Sequence, residues 1–338
     1  MHAYSNRCRR HRWSLTVLFP MFVLLAVAPL AHADWFSFQG ETMTTRLDLE
    51  FWSEDRARAE QIRDAVWHEF DQVDRIMSRY REDSELSRVN REAAKAPVKV
   101  SEGLFRVLRQ ALRVSELSEG AFDISFGSVG YFYDFRAKRQ PSAEELKQGL
   151  ARIDYRDIVL NERDRTVSFR KPGLVLDLGG IAKGYAVDLG IAALQREGVR
   201  HARLSAGGDM RLLGDKRGKP WIVGIRDPRA EEKHAVVLPL SDTAVSTSGD
   251  YERFFVDESG NRVHHILSPQ TGKPAQGVQS VTILAPDALT SDGLSTAVFV
   301  LGVEKGLAMI NRLDGVDAII IDGQRKMHYS VGLMAPGS

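Results

Sequence analysis

The stretch LDLGGIAKGYAVD, Leu176–Asp188, sets two adjacent glycines and a lysine where an apolar run gives way to a helical pattern. Glycines at such a junction let a ligand come close to the backbone, and the free amides of a helix start favour an anion such as phosphate. A P-loop is excluded, because it ends in lysine followed by serine or threonine, whereas Lys183 is followed by Gly184 and Tyr185. A dinucleotide fingerprint is excluded as well, since Gly179, Gly180 and Gly184 lack its spacing. What remains is a strand (GLVLDL) carrying Asp177, a glycine turn, and a helix with Lys183 in its first turn. A tight turn with a solvated lysine fits the same residues. Far along the chain, TSDGLSTAVFVLG places Asp292 and Thr296 four apart, on one face of a helix's first turn. A carboxylate and a hydroxyl are hard oxygen donors suited to magnesium. On spacing alone, an N-capping cluster in which Asp292 or Ser291 satisfies free amides is the simpler reading.

Three further stretches concentrate glycine, aspartate and histidine where a core would not want them: Asp123 in GAFDIS, Asp209 in LSAGGDMRLLG, and His264 with His265 in HHILSPQTGKPA. Strand alternation sends the two imidazoles to opposite faces, so a single site uses only one of them.

These residues must be positioned by a chain whose two parts differ in character. Residues 1–33 carry four arginines and no acid, then the apolar WSLTVLFPMFVLLAVAPL, then AHA, which reads as a secretory signal cleaved before Asp34. An uncleaved membrane anchor is the alternative, because the apolar run approaches bilayer-spanning length. The only cysteine, Cys8, precedes that run, which disfavours a lipid anchor. Residues 34–338 hold 42 basic and 45 acidic side chains, a balance that favours neither nucleic acid nor anionic membrane. With no cysteine in this part, disulfides and thiolate metal sites are excluded.

TTRLDLEF alternates as a strand does, and Ile62, Val66, Phe70, Val73 and Met77 recur at helical spacing over 55–77. Ser101 caps a second helix that stops near Gly120, and Ser142 with Glu145 form a capping box. DIVL and TVSF, joined by NERDR, read as a hairpin. The second half is strand-rich (ARLSA, WIVGI, AVVLPL, TAVSTS, VHHIL, SVTIL), then helical over 291–301 and 304–313, and closes with DAIIID and MHYSV across an Asp322-Gly323 turn. This mixture without a βαβ rhythm predicts an α+β fold, largely antiparallel, in one compact unit.

Taken in order, ETMTTRLDLEF, MSRYREDSELSRVN, GAFDIS, LDLGGIAKGYAVD, LSAGGDMRLLG, WIVGIRDP, AVSTSGDYERFF, HHILSPQTGKPA and SVTILAPDALTSDGLSTAVFVLG resemble the ApbE family of FAD:protein FMN transferases. The resemblance covers nearly all of 34–338 and implies a T-fold-like flavin-transferase domain there. It implies cleavage of FAD, transfer of FMN to a threonine or serine of an acceptor flavoprotein, and release of AMP. It further implies FAD contacts at Met43, Tyr80, Ala121, Phe122, Asp123, Asp177, Lys183, Ile266 and Ser295. A magnesium site would combine the Gly180 carbonyl with Asp292 and Thr296, and His265, with His264 as fallback, would assist the acceptor hydroxyl while Lys183 shares the phosphate charge. The expected location is the periplasm. Where many members of that family continue GAFDIS with a proline and a tryptophan-containing turn, this chain reads FGSVGYFYDFRAKR, a departure that the resemblance places near the acceptor's approach. An FAD pyrophosphatase, with water in place of the acceptor, and a flavin-binding protein without turnover remain as alternatives.

Overall fold

The computed structural model describes His2 and residues 33–334. The reading of residues 1–33 as an export signal therefore lies outside the described residues.

The frame is one eight-stranded sheet: Asp34–Thr42, Thr45–Ser53, Ala202–Ala206, Asp209–Leu213, Ala244–Gly249, Val278–Ala285, Asp317–Asp322 and Met327–Tyr329. Each strand pairs antiparallel with the next, so the order across the sheet follows the order along the chain. All other elements are insertions into this meander. Side-chain alternation gives the sheet two covered faces. Leu204, Ala206, Ala244, Val281 and Ile283 face the helices, whereas Leu212, Val245 and Leu284 pack under the hairpin Trp221–Asp227/Ala230–Leu240 with Trp221, Val223 and Ile225. Val278–Ala285 is buried at every residue because both of its faces are covered.

The helices form where their apolar stripes require. Asp55 caps Arg56–Met77 by accepting from the Arg58 amide at 2.8 Å, and Ala59, Ile62, Val66, Phe70, Val73 and Met77 turn inward. Ser101 caps Glu102–Leu117, and Ser142 with Glu145 complete the expected capping box on Ala143–Leu150. Ala182–Arg196 and Ala288–Ile310 lie against each other and against the sheet. The latter is broken at Gly302, whose φ of 79° only glycine adopts without strain, so it is the pair of helices expected from the sequence.

Several local expectations are corrected. GLVLDL is not a strand but an extended segment with one isolated bridge, Val175 to Phe126. Its backbone is claimed by side chains: Val175 N donates to Ser128 Oγ, and Asn90 accepts from Leu176 N while donating to Leu176 O. No ladder can run through groups already used. The helix expected from Ser291 begins a turn earlier, at Ala288, because Asp287 supplies the cap by accepting from Thr290 N at 2.8 Å. Asp292 and Ser291 are thus interior to the helix rather than its caps. The VHHIL strand ends at His264, leaving His265 at a bend. The short helix Glu85–Glu92 and the strand Asp34–Thr42 carry no signal that the sequence reading used.

One contact ties the two central helices together. A Cβ on Gly184 would lie 2.1 Å from the Ala288 carbonyl oxygen and 2.7 Å from Asp292 Cβ. Asp188, one turn later, accepts from Ala288 N and Leu289 N at 2.9 Å each, giving the second helix's free amides a carboxylate. Gly184→Ala is expected to force the helices apart and cost about 1–3 kcal/mol, the usual range for overpacking. A shift of the urea midpoint to lower concentration reads this out, and an unchanged midpoint would mean the helices adjust freely.

Candidate active site

The turn 178–181 and the helix 288–310 meet beneath the Gly184 contact. A Cβ on Gly180 would stand 3.2 Å from Thr296 Oγ1 and 3.4 Å from Phe122 Cε2, so the Gly180 backbone lies directly against the threonine hydroxyl. Asp292, one helical turn before Thr296, accepts from Gly184 N at 2.9 Å through Oδ2. Strand Ala244–Gly249 braces this helix with a hydroxyl zipper, Ser246 to Ser291 at 2.7 Å and Ser248 to Ser295 at 2.8 Å, and Ser248 reaches Thr296 Oγ1 at 3.4 Å. The three expected metal donors, Gly180, Asp292 and Thr296, therefore share one corner.

Lys183 enters the same corner. Its ammonium pairs with Asp209 Oδ2 and lies 3.8 Å from Asp292 Oδ2. Burial lowers the lysine's pKa, but the two carboxylates outweigh it, and the ammonium stays charged above its ordinary range. Burial first, and the Asp209 carboxylate second, raise Asp292 above the usual carboxylate range. The two carboxylates repel one another as they approach the ammonium, and a divalent cation between them would relieve that repulsion. Among the described residues no three His, Cys, Asp or Glu side chains cluster as a metal site. A cation here would draw instead on hard oxygens of mixed type, a carbonyl, a carboxylate and a hydroxyl, which suits magnesium.

A second group lies up the turn. Asp177 accepts from Gly179 N at 2.8 Å and pairs with Arg79 at 2.9 Å. The Arg79 guanidinium carbon sits 4.7 Å from the Tyr80 ring centre and 4.6 Å from that of Tyr131, both exposed. Asp177 is thus committed to shaping the glycine turn and anchoring this aromatic platform.

Other expected contacts face inward. Asp123 spends one oxygen on Ser125 N and Oγ (2.8 and 2.6 Å) and the other on Tyr155 N (2.8 Å), so its carboxylate organises loops rather than the open face of the corner. Ala121, Phe122, Ile266 and Ser295 are buried, and the Ser295 hydroxyl donates to Asp292 O at 2.9 Å. Met43 forms a left-handed turn with Thr44, whose hydroxyl accepts from Arg253 at 3.2 Å.

The two histidines separate cleanly. His264 is buried edge-on against Phe299 and donates from Nε2 to the Ala275 carbonyl at 2.9 Å. His265 places Nδ1 3.3 Å from the Arg253 carbonyl. A carbonyl only accepts, so that contact puts the proton on Nδ1 and leaves Nε2 as the basic nitrogen. The residue is half-buried. Burial first, then the Arg253 cation, with Lys183 also contributing, push its pKa down to about 3.

The fold has known counterparts. Residues 43–320 match the ApbE family. The chain belongs to the ApbE family. It is 37% identical over 281 residues to the FAD:protein FMN transferase of Treponema pallidum, covering 78% of this chain and 77% of that one. The Haemophilus influenzae FAD:protein FMN transferase is 34% identical over 289 residues, covering 82% and 83%. Among solved structures, the ApbE protein from Thermotoga maritima superposes with a TM-score of 0.81 at 32% identity, covering 88% of this chain and 98% of that one. The flavin transferase ApbE from Vibrio cholerae gives 0.79 at 31%, with the same coverage. The α+β, antiparallel, single-unit expectation agrees with these family structures.

Sequence reasoning left Asp209, Arg79, Ser248 and Arg253 without roles. A signal existed for Ser248: Ser246 and Ser248 recur at strand period, Ser291 and Ser295 at helix period, and the two faces match. None existed for Arg79, whose partner Asp177 is remote in sequence.

His265 has a pH consequence. Its folded pKa lies below the unfolded value of about 6.5, so the unfolded chain binds the proton first and stability falls as pH drops from there toward about 3. Across that window the wild type is expected to lose more stability than His265→Gln, measured by urea midpoints. Equal slopes would place the ring in open solvent.

Proposed function

We propose that the chain is an FAD:protein FMN transferase, magnesium-dependent, that joins FMN through a phosphoester bond to a threonine or serine of an acceptor flavoprotein. We place it in the periplasm, with residues 1–33 as a cleaved export signal. The observation that carries the reading is the meeting of Gly180, Asp292, Thr296 and Lys183 at one corner, in a chain whose relatives bear that transferase name. Magnesium, held by the Gly180 carbonyl, Asp292 and Thr296, would neutralise diphosphate charge as the bond to the AMP side breaks.

The chain's own residues do the rest. Lys183, kept charged by two carboxylates, offsets phosphate charge from the helix start. The Tyr80 face offers a stacking surface for a planar ring of FAD. His265 Nε2 takes the proton from the acceptor hydroxyl as its oxygen bonds the FMN phosphorus, and AMP departs with the bridging oxygen. Burial and the Arg253 cation push the pKa of His265 down to about 3, which favours the neutral imidazole. The approach of an anionic diphosphate to Arg253 and Lys183 would then raise its basicity when substrate is present.

Incubation with FAD, magnesium and an acceptor should yield one AMP per acceptor and an acceptor heavier by one FMN less water, by mass spectrometry. Asp292→Ala is expected to lower transfer by on the order of 100-fold or more, and undiminished transfer at limiting magnesium would remove the metal assignment. His265→Ala should slow transfer by about 100-fold or more with FAD affinity nearly unchanged. Equal loss of both would make the imidazole structural. Free FMN in place of the adduct would make the protein a pyrophosphatase.

A further inference from the structure

We infer that Asp209 is a positioning residue that holds Lys183 away from Asp292, keeping the Asp292 carboxylate free for a divalent cation. This rests on the proposed function only in taking Asp292 as a cation ligand.

Lys183 has two carboxylates within reach and is committed to one. Its Nζ pairs with Asp209 Oδ2, while Asp292 Oδ2 stands 3.8 Å away. Both acids are buried, so neither is screened by water. A lysine side chain has four rotatable carbons, and rotation near its tip would close the remaining gap. Without an anion at Asp209, the carboxylate left to this ammonium among the described residues is Asp292. A direct Lys183–Asp292 pair would cancel the charge that a cation needs and occupy its place.

The backbone fixes Asp209 for this task. It opens the strand Asp209–Leu213 directly after Gly207, whose φ is 60°, and Gly208, where a Cβ would lie 2.5 Å from the Thr247 carbonyl oxygen. Thr247 stands next to Ser248, which braces Ser295 and Thr296. The carboxylate that holds the lysine and the helix that bears the cation ligands are therefore registered on adjacent strands. Asp292 is held from its other side, because Gly184 N donates to its Oδ2 at 2.9 Å.

The test is magnesium affinity by titration calorimetry and manganese affinity by paramagnetic resonance, both without FAD, on four full-length proteins: wild type, Asp209→Asn, Lys183→Met and the double variant. Asp209→Asn is expected to weaken cation binding by about 10–100-fold, the range for residues that support a metal ligand. In the Lys183→Met background the same change should cost at least about tenfold less, and the double variant should bind within a few-fold of wild type, since it has the same net charge and a free Asp292. Equal losses in both backgrounds would overturn the inference and make Asp209 a ligand or a simple source of field. Loss of cation binding in the wild type itself would instead overturn the magnesium assignment. Thermal unfolding of each variant checks the fold. Asp209→Ser, which leaves room for water, replaces the asparagine variant should that one fail to fold.

Discussion

The close crossing of Ala182–Arg196 over the start of Ala288–Ile310 is the constraint on which the rest depends. At Gly184 the two backbones touch, and any side chain there would strike the Ala288 carbonyl. Closeness alone would not set the rotation of one helix about the other. That is fixed by two carboxylates pointing in opposite senses: Asp188 reaches from the first helix to the amides of the second, and Asp292 reaches back to the amide of Gly184. Each satisfies backbone donors that would otherwise be buried unpaired, at a cost of about 1–3 kcal/mol each. With the crossing fixed, the Gly179-Gly180 turn has one place to go, against Thr296.

The same crossing explains how a site so rich in charge survives in a protein interior. Lys183, Asp209 and Asp292 would be costly to bury singly. They arrive from three separate elements and are each held by neighbours before they meet: Asp292 by Gly184 N, Lys183 by the helix, Asp209 by the strand after two glycines. Two carboxylates held close together are a form of preorganisation, since a cation gains from ligands already desolvated and fixed. Arg79 and Asp177 repeat the pattern further up the turn, where the pair holds an arginine between two aromatic rings instead of leaving it to solvent.

Much of this was legible because the residues obey local rules. The helix 56–77 shows its stripe, Ser142 and Glu145 show their box, and the hairpins show their alternation. The resemblance supplied Gly180, Asp292 and Thr296 as a set, which spacing within either segment could not, because their adjacency is created by the helix crossing. Expectations failed where side chains displaced backbone partners. GLVLDL has the composition of a strand, yet Asn90 and Ser128 take its hydrogen bonds, and neither is near it in sequence. Asp287 outcompeted Ser291 and Asp292 for the cap because Asp292 was engaged elsewhere, by Gly184. Asp123, conspicuous after a helix stop, turned inward because three donors from Ser125 and Tyr155 surround it.

The segment 126–140 joins two walls of the corner. Phe126, Tyr133 and Phe135 bury their rings in a separate small core with Phe255, Val263 and Leu267. Tyr133 donates its hydroxyl to the Gly272 carbonyl at 2.9 Å, which anchors the loop to the turn following His265. The loop thus packs on the ribbon Phe254–Val256/Arg262–His264, the element that delivers His265, while Phe126 and Ser128 at its start hold Val175, in the segment that leads into the glycine turn. A Cβ on Gly127 would lie 2.6 Å from the Val175 carbonyl oxygen, so the start of the loop bears on the turn as its middle bears on the ribbon. One segment thus holds both the ribbon that delivers His265, through Tyr133, and the approach to the glycine turn, through Ser128.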